Sequence, residues 1–380
     1  MKEFSGGQAR LIVDGDSALS EILNAIKRAK KTIRMRVYMW RDDEVGRLVL
    51  AALQRKIKTS PTIKIFIEKD AFGSRVYNLQ KIISWGRMKG DIFSSELGLN
   101  FLRQKRNVHF VSVGSRSLIL FKILKENDHS KVFLFDDGTQ DSLALVGGMN
   151  IANEHLTAQN HSDPDQGGWH DYMVLLRGEL ADRFALHFHK RKTKWLSKKI
   201  RKGFEILMDI SSRRVIKREM IREISKARRS IIIQHGYLTD FAIIRKLRQA
   251  SRRGVHVQVI IADRSDGVLH ANMHSVYKLL KSPTFPRRKK PSVKVHLYRG
   301  MIHAKVIVID KAVAIIGSAN LTGCSFNLLS ETNAIFRQKD GIVRELLAQV
   351  QKDLHHCVPV TLANIPPYRR WLAWWQKIFI

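Results

Sequence analysis

The sequence is poor in cysteine, in long apolar runs and in acidic side chains. Its two cysteines, Cys324 and Cys357, are too few for a disulfide framework and do not have the spacing of zinc ligands. No apolar run reaches the roughly 18 residues that a helix needs to cross a bilayer. The first residues also lack the basic segment and apolar block of a secretory signal. These absences argue against a secreted or membrane-spanning protein, and we expect a cytoplasmic one.

Basic residues outnumber acidic ones, 67 Lys and Arg against 34 Asp and Glu, which gives a formal net charge of +33. A charge of this size favours a polyanionic partner but does not choose between nucleic acid and an anionic membrane surface. Two basic stretches, 189–202 and 281–291, are candidates for that contact. With 380 residues, 44% of them hydrophobic, the chain suits one large globular domain or two of ordinary size.

An internal repeat divides the chain into two halves. Residues 26–38 and 224–237 both read as the end of an amphipathic helix that runs into an apolar strand and finishes with a tyrosine. In each half a helix and a second strand follow, at 44–56 and 62–67, and again at 241–253 and 255–261. This recurrence predicts an α/β fold of two pseudo-symmetric lobes, each with a mixed sheet flanked by helices.

Each half carries the same motif, a histidine and a lysine two residues apart followed by an aspartate. The two copies are His129, Lys131 and Asp136, and His303, Lys305 and Asp310. Alternate side chains of a strand point to the same face, so each imidazole is expected beside an ammonium group. A second apolar strand and a small-residue turn ending in Asn150 or Asn320 follow each motif. Two copies at matching positions of a repeat argue against a chance occurrence.

These residue types meet the needs of phosphodiester exchange, which are a nucleophile, an acid for the leaving group and positive charge around the phosphate oxygens. One imidazole can attack phosphorus and form a phosphohistidine, while the other protonates the departing alkoxide and later deprotonates the acceptor. The non-bridging oxygens can be held without a metal ion or cofactor by the side chains of Lys131, Lys305, Asn150 and Asn320. Because the halves look equivalent, the sequence leaves open which histidine attacks, and His129 is our first choice.

Two further carboxylates open strands at matching positions of the repeat, Asp171 and Glu331. A carboxylate on one ring nitrogen fixes the tautomer of an imidazole. From their matched positions we predict that Asp171 orients His129 and that Glu331 orients His303. The motif aspartates, Asp136 and Asp310, fall on the opposite strand face from the histidine and lysine by simple alternation, so we expect structural or outer-shell roles for them.

The two motifs and their surroundings resemble the phospholipase D superfamily, and more closely its bacterial cardiolipin synthases. The likeness also includes residues 38–46, 147–154, 169–171 and 317–321, together with Ser325, Phe326 and Glu331. It implies a two-lobed α/β/α/β/α fold with one active site at the lobe interface, and it adds Ser318 to the catalytic set. It also implies metal-independent ping-pong chemistry, in which one motif histidine forms a phosphatidyl-enzyme and the other works as acid and base.

The resemblance favours a phosphatidyltransferase that condenses phosphatidylglycerol with a second phospholipid to give cardiolipin. The sequence departs from the usual cardiolipin synthase pattern at Thr322, Cys324 and Leu329, which commonly are Asp, Arg and Asn, so acceptor recognition is less defined. The alternatives are a hydrolase that releases phosphatidic acid, a metal-independent nuclease, and a catalytically idle module that binds anionic membranes. The acceptor pocket depends on the loops 70–107 and 263–291, and the conformation of these loops is not predicted by the sequence.

The C-terminal segment combines three tryptophans, Trp371, Trp374 and Trp375, with interspersed cations. This composition predicts a helix in a membrane interface, and the alternative is a final helix packed on the core. We therefore divide the chain into a first lobe (1–200), a second lobe (201–360) and a tail (361–380), and we expect peripheral association with the inner membrane. The sequence leaves the oligomeric state open.

Overall fold

The fold is taken from a computed structural model of the chain. It describes residues 8–70, 101–102, 104–113, 127–156, 168–189, 197–201, 204–209, 214–265, 268–281, 293–337 and 341–379. Most of the predicted acceptor loop 70–107 and of the basic stretches 189–202 and 281–291 lies outside these described residues. The other predicted acceptor loop, 263–291, is described at 263–265 and 268–281 and is largely helical there.

The first lobe is built on a mixed sheet of seven strands. These are β1 (Ala9–Val13), β2 (Thr32–Val37), β3 (Lys64–Asp70), β4 (Val108–Val113), β5 (Val132–Phe135), β6 (Leu143–Gly147) and β7 (Tyr172–Arg177). Their order across the sheet is β1-β7-β6-β5-β2-β3-β4. Neighbours β2, β3 and β4 run parallel, and all other neighbours are antiparallel.

The second lobe repeats this sheet and extends it. Its strands are β8 (Ser197–Arg201), β9 (Phe204–Asp209), β10 (Ser230–His235), β11 (His256–Ala262), β12 (Val293–Tyr298), β13 (Lys305–Ile309), β14 (Val313–Gly317), β15 (Glu331–Phe336) and β16 (Cys357–Val360). The order is β16-β12-β11-β10-β13-β14-β15-β9-β8, with β10, β11 and β12 parallel. The run from β9 to β12 matches the whole first sheet, while β8 and β16 are additions. The predicted division at residue 200 falls inside β8, which belongs to the second sheet.

Nine α-helices and one 3-10 turn complete the described part of the chain. They are α1 (Asp14–Arg28), α2 (Glu44–Thr59), the turn Asn153–His155, α3 (Glu179–His189), α4 (Val215–Lys226), α5 (Phe241–Arg252), α6 (Leu269–Leu280), α7 (Gly323–Asn327), α8 (Ile342–Leu354) and α9 (Arg370–Phe379). Helices α1 and α2 cover the outer face of the first sheet, and α4, α5 and α6 cover the outer face of the second. Helices α3 and α8 lie between the sheets. The layers are therefore α/β/α/β/α, as the resemblance implied.

The motif strands are apolar throughout because both of their faces are buried. In β5, Phe133 and Phe135 pack toward α1 and α2, whereas Val132 and Leu134 face the layer between the sheets. The strand β13 is buried in the same way along all its length. Strands covered on both faces read as continuous hydrophobic runs. This burial fixes the register of each strand and so the position of the histidine that precedes it.

The C-terminal helix α9 packs on α6, which confirms the alternative of a final helix packed on the core. Ala373 is buried in this contact, and the side-chain oxygen of Gln376 accepts a hydrogen bond from the backbone of Ala271 at 2.8 Å. The other side of α9 carries three exposed tryptophans, with fractional exposures of 58%, 62% and 51% for Trp371, Trp374 and Trp375. None of the described helices combines the length and apolar character needed to cross a bilayer.

Candidate active site

The two lobes meet where the segments before the motif strands cross to the opposite lobe. Asp128 forms a parallel bridge with Ser330, and His170 forms the equivalent bridge with Ile302. The backbone N–H of His129 donates to the carbonyl of Ser330 at 2.8 Å, and that of His303 donates to the carbonyl of His170 at 2.8 Å. Each motif histidine is thereby placed beside the first residue of the carboxylate segment of the other lobe.

The histidine–carboxylate pairs are consequently formed between lobes. His129 Nδ1 lies 3.0 and 3.1 Å from the two carboxylate oxygens of Glu331, and His303 Nδ1 lies 2.7 Å from Asp171 Oδ2. The sequence-based assignment within each half was therefore wrong for both pairs. Matching positions in the repeat identified the correct carboxylates, but the bridges between lobes exchange their partners.

Glu331 is held by two serine hydroxyls in addition to His129. Ser318 Oγ donates to Glu331 Oε2, and Ser325 Oγ donates to Oε1 at 2.6 Å. Ser318 was predicted from the resemblance to be catalytic, and here its hydroxyl contacts the orienting carboxylate. Ser325 also accepts from the backbone N–H of Asn320 at 2.9 Å. All three hydrogen-bonding groups around Glu331 are buried, which fixes the carboxylate in one orientation.

Asp171 has a different environment. Its Oδ1 accepts from the backbone N–H of Tyr172 at 2.7 Å, and its carboxylate lies so close over Gly148 that a Cβ there would be 2.4 Å from Oδ1. Gly148 occupies the position that corresponds to Ser318. His155 occupies the position that corresponds to Ser325, and its Nδ1 is 3.8 Å from Asp171 Oδ2. The two half-sites therefore differ, and sequence reasoning missed His155, which aligning the two repeats would have revealed.

The two motif lysines are buried at the starts of their strands. Lys131 Nζ donates to the carbonyl of His129 at 2.7 Å, and Lys305 Nζ donates to the carbonyl of His303. Lys131 Nζ also lies 5.0 Å from the ring centroid of Tyr38. Burial lowers the pKa of Lys131 from its usual range to about 7, since a charged ammonium group loses its hydration there.

Burial is also the main reason that the pKa of both motif histidines is lowered. For His129 the charge of Glu331 opposes this effect, while Lys131 adds to it. For His303 the pKa is well below its ordinary value, because Lys305 and Lys131 add to the effect of burial. The lowered pKa favours the neutral form of both imidazoles, and a bound phosphodiester would raise their pKa.

The turn asparagines are close to the site, but their described contacts are with the chain itself. Asn150 is buried, and its side-chain oxygen accepts from the backbone N–H of Met39 at 3.2 Å. The side-chain oxygen of Asn320 is buried without a hydrogen-bond partner among the described residues. Their predicted contact with the phosphate remains a prediction.

Both motif aspartates lie at the far ends of the motif strands from the histidines. The Asp136 carboxylate accepts from the backbone N–H groups of Lys30, Lys31 and Thr32 at distances from 2.6 to 3.1 Å. Asp310 accepts in the same way from residues 228–230, at 2.7 to 2.9 Å. Both have left-handed φ angles, 50° and 52°. They anchor the turn between a helix and the first parallel strand, which agrees with the structural role expected from alternation.

Aromatic rings line both histidines. Tyr38 stands edge-on to His129 with ring centroids 4.6 Å apart, and Trp169 lies 5.0 Å from His303. Tyr237 is 6.3 Å from His303. The two tyrosines that end the repeated segments are not equivalent, however. The backbone carbonyls of Met39 and Tyr237 accept corresponding hydrogen bonds from the turns after β6 and β14, so Tyr237 corresponds to Met39.

Among the described residues, one group of side chains has spacing that a metal ion could use. His155, Asp171 and His303 each offer a ligand atom, and these atoms lie within 4.8 Å of one another. Asp171 and His303 are only 2.7 Å apart, which is a hydrogen-bond length and shorter than the separation of two ligands on one tetrahedral zinc ion. The geometry is therefore that of a hydrogen-bonded pair, and the absence of a metal requirement stays a prediction.

Comparison with known proteins relates the chain to enzymes of phospholipid metabolism. Residues 220–358 match the family described as "Cardiolipin synthase, PLD-like domain". A cardiolipin synthase of Clostridium perfringens (strain SM101) is 27% identical over 377 residues, which cover 93% of this chain and 72% of that protein. The major cardiolipin synthase ClsA of Bacillus subtilis (strain 168) is 27% identical over 368 residues, covering 90% of this chain and 68% of that protein.

Solved structures share the fold at lower identity. The phosphatidylserine synthase of Haemophilus influenzae Rd KW20 matches with a TM-score of 0.67 and 16% identity, over 98% of this chain and 92% of that one. A polyphosphate kinase from Porphyromonas gingivalis matches with a TM-score of 0.59 and 14% identity, over 97% of this chain and 53% of that one. At these identities the likeness supports the two-lobed architecture alone.

Proposed function

The chain belongs to the phospholipase D superfamily, and on this premise we propose that it is a phosphatidyltransferase of the cardiolipin synthase type. The observation that carries the proposal is the pair of histidine–carboxylate contacts between lobes. With Nδ1 of each imidazole engaged by Glu331 or Asp171, Nε2 is the nitrogen left for chemistry in both rings. One of these nitrogens serves as nucleophile and the other as proton carrier at a single site.

In the proposed first step, His129 Nε2 attacks the phosphorus of phosphatidylglycerol. The bond from phosphorus to the glycerol oxygen breaks, and that oxygen takes a proton from His303 Nε2. Charge on the substrate phosphate raises the pKa of His303, so the bound anion itself favours the protonated ring that this step needs. The product of the step is a phosphatidyl-histidine and free glycerol.

In the second step, the hydroxyl of another phospholipid loses its proton to His303 Nε2 as its oxygen attacks the phosphatidyl group. The bond to His129 Nε2 breaks, and cardiolipin leaves. Lys131 and Lys305 supply positive charge near the phosphorus in both steps, where charge accumulates on the non-bridging oxygens. We assign attack to His129 because Glu331, fixed by two serine hydroxyls, keeps that ring in one orientation while the covalent bond forms.

The reaction is tested by incubating the purified chain with phosphatidylglycerol vesicles and identifying the products by mass spectrometry. We expect cardiolipin and glycerol from the wild type, and no turnover from His129→Asn or His303→Asn. Phosphatidic acid as the main product would show that the chain is a hydrolase and not a transferase. Cleavage of single- or double-stranded DNA, without any lipid product, would show that it is a nuclease. Full activity in His303→Asn would eliminate the two-histidine scheme.

The nucleophile is identified by acid-free quenching after brief exposure to substrate, followed by mapping of the phosphorylated peptide. A phosphatidyl group on the peptide that contains His129 is expected from the wild type, and none from the His129→Asn variant. A phosphatidyl group on the His303 peptide would reverse the two roles without changing the reaction class. The mapping therefore separates the assignment of roles from the assignment of function.

We further propose that the chain works on the inner membrane as a peripheral protein and that α9 contacts the lipid. An exposed face, here called the aromatic face, consists of Trp371, Trp374 and Trp375. Phe241 at the start of α5 is a further exposed ring, with 63% exposure, and Lys278 Nζ lies 5.4 Å from it. Exposed aromatic rings and lysines suit the interface of an anionic bilayer.

Membrane contact is measured by co-sedimentation with vesicles of phosphatidylglycerol and phosphatidylcholine, and with vesicles of phosphatidylcholine alone. The triple change Trp371→Ala, Trp374→Ala and Trp375→Ala should weaken binding to anionic vesicles by roughly 10-fold or more. The matched control is Leu48→Ala, an exposed hydrophobic residue on α2 with 44% exposure. Equal binding of the triple variant and the control would exclude α9 as the contact.

A further inference from the structure

His155 stands where the second half-site has Ser325. Two equivalent hydrogen bonds establish this correspondence, since the backbone N–H of Asn150 donates to His155 Nε2 at 3.1 Å and that of Asn320 donates to Ser325 Oγ at 2.9 Å. Ser325 goes on to donate to its carboxylate, Glu331. We propose that His155 is the corresponding positioning residue of the first half-site, and that it acts on His303 by donating from Nδ1 to Asp171.

The tautomer of His155 follows from its surroundings. Its Nε2 accepts a backbone hydrogen bond, so no proton is on that nitrogen. Burial lowers the pKa of His155 to about 3, with His303 adding to the effect, so the ring is neutral and its single proton is on Nδ1. Nδ1 is buried without a hydrogen-bond partner among the described residues, and it lies 3.8 Å from Asp171 Oδ2.

The distance between His155 Nδ1 and Asp171 Oδ2 allows the hydrogen bond to form during the reaction. A distance of 3.8 Å is too long for a hydrogen bond, so in the resting enzyme Asp171 bonds to His303 and to the backbone of Tyr172. A shift of the Asp171 carboxylate of roughly 1 Å brings it within reach of His155. Such a donor withdraws negative charge from Asp171 and therefore lowers the basicity of His303, which favours release of the proton to the departing alkoxide.

The ring also confines His303 sterically. His155 stands edge-on to His303 with centroids 5.3 Å apart and edge-on to Trp169 at 5.3 Å. Its own backbone is held by close packing, because a Cβ on Gly15 would come within 2.0 Å of the His155 carbonyl. The turn before it is tied to α2 through Asn153, whose side chain accepts from the backbone N–H of Val45 at 3.0 Å. A rigid support of this kind is what precise orientation of a catalytic ring requires.

Two substitutions at this position separate the proposed role from a purely structural one. His155→Asn keeps an N–H near the position of Nδ1 and loses the acceptor for Asn150, whereas His155→Gln keeps an acceptor near Nε2 and loses the donor for Asp171. This test of kcat rests on the proposed function. We expect kcat to fall within about 5-fold in His155→Asn and roughly 10- to 100-fold in His155→Gln, with KM nearly unchanged in both. The opposite order would assign His155 to holding the turn of Asn150 and overturn the proposal.

The pH profile gives a second readout that a structural role would not move. Without the donor, Asp171 keeps more negative charge and His303 becomes more basic. In His155→Gln, the limb of the kcat–pH profile that reports His303 should therefore shift to higher pH by about half a pH unit or more. An unchanged profile beside a lowered kcat would contradict the proposal. Loss of wild-type activity in EDTA and its recovery with zinc would also overturn the proposal, because His155, Asp171 and His303 would then be metal ligands.

A spectroscopic measurement tests the same inference without any assumption about substrate. Nitrogen-15 NMR of histidine-labelled protein, assigned with the His155→Gln variant, should show His155 neutral and protonated on Nδ1 from pH 6 to pH 8. A signal of the Nε2-protonated tautomer, or titration within that range, would overturn the proposal even if the transfer assay succeeds. Conversely, failure of lipid transfer with the expected tautomer would count against the proposed function alone.

Discussion

Replacing Lys131 by methionine should abolish catalysis and stabilise the fold. The ammonium group is fully buried, and its pKa of about 7 in the folded chain is far below the usual 10.5. Between these two values the unfolded chain binds more protons than the folded one, so burial of this lysine destabilises the fold below about pH 10. A pKa shift of that size lowers the free energy of unfolding by at most roughly 5 kcal/mol.

The gain in stability expected for Lys131→Met is smaller than this upper limit. Methionine has similar length and no charge, but it forfeits the hydrogen bond to the carbonyl of His129, a contact with a charged donor worth about 2 kcal/mol. We therefore expect Lys131→Met to increase the free energy of unfolding by about 1–3 kcal/mol at pH 6. The advantage should shrink as pH rises above about 7, because the wild type then loses the buried charge, and should vanish near pH 10.

The assay is urea unfolding followed by tryptophan fluorescence at several values from pH 6 to pH 9.5, expressed as the difference between variant and wild type. Taking the difference removes the contributions of other titrating groups. Lys58→Met, at an exposed position of α2, is the matched control and should change stability by less than about 0.5 kcal/mol at every pH. A Lys131→Met chain that is less stable at pH 6, or whose advantage does not depend on pH, would refute the reasoning.

Three further predictions follow from the polar contacts of the structure. Bonds to Asp14 and Asp353 offset burial and raise the pKa of His170 to about 10, so His170→Gln should lose about 3 kcal/mol of stability below pH 6.5, and the loss should fade toward pH 10 in urea unfolding. A double-mutant cycle on stability should give a coupling of about 1 kcal/mol or more for His129 with Glu331 and near zero for His129 with Asp171; the reverse result would restore the pairing within halves. Asp310→Asn should lower the melting temperature through a loss of about 1–2 kcal/mol but leave kcat within about 2-fold, and a loss of catalysis alone would show a direct role for this carboxylate.

The sequence was sufficient to predict the lobes, the motif strands and the identity of the orienting carboxylates. Each of these follows from local periodicity or from the repeat, and both are properties of the chain order. The six strands from β7 to β4 recur in the same order from β15 to β12, which is why a repeat of short motifs translated into a repeat of folds. The predicted helix at 44–56 and the observed Glu44–Thr59 differ only at the C-terminal end.

The partners of the carboxylates could not be predicted from the repeat. A two-fold repeat is equally compatible with contacts within halves and with contacts exchanged between them. The bridges of Asp128 with Ser330 and of His170 with Ile302 decide between these arrangements. An alignment of the two repeats shows the difference between His155 and Ser325, but the role of His155 depends on its distance from Asp171, which the sequence does not give. The tail illustrates a third limit, since the pattern of α9 allowed both a packed helix and an exposed aromatic face, and the structure has both.

The exchange of carboxylates between lobes makes each half of the chain an incomplete catalyst, in the manner of a dimer whose subunits complete one another. In a dimer of identical subunits, any change near one imidazole would be copied at the other. Two lobes in one chain are free of that constraint. Glu331 can therefore bind two serine hydroxyls, while Asp171 lies against Gly148 and near His155. Joining the halves in one chain thus permits the proposed difference in roles, in which one histidine forms the bond to phosphorus and the other transfers protons.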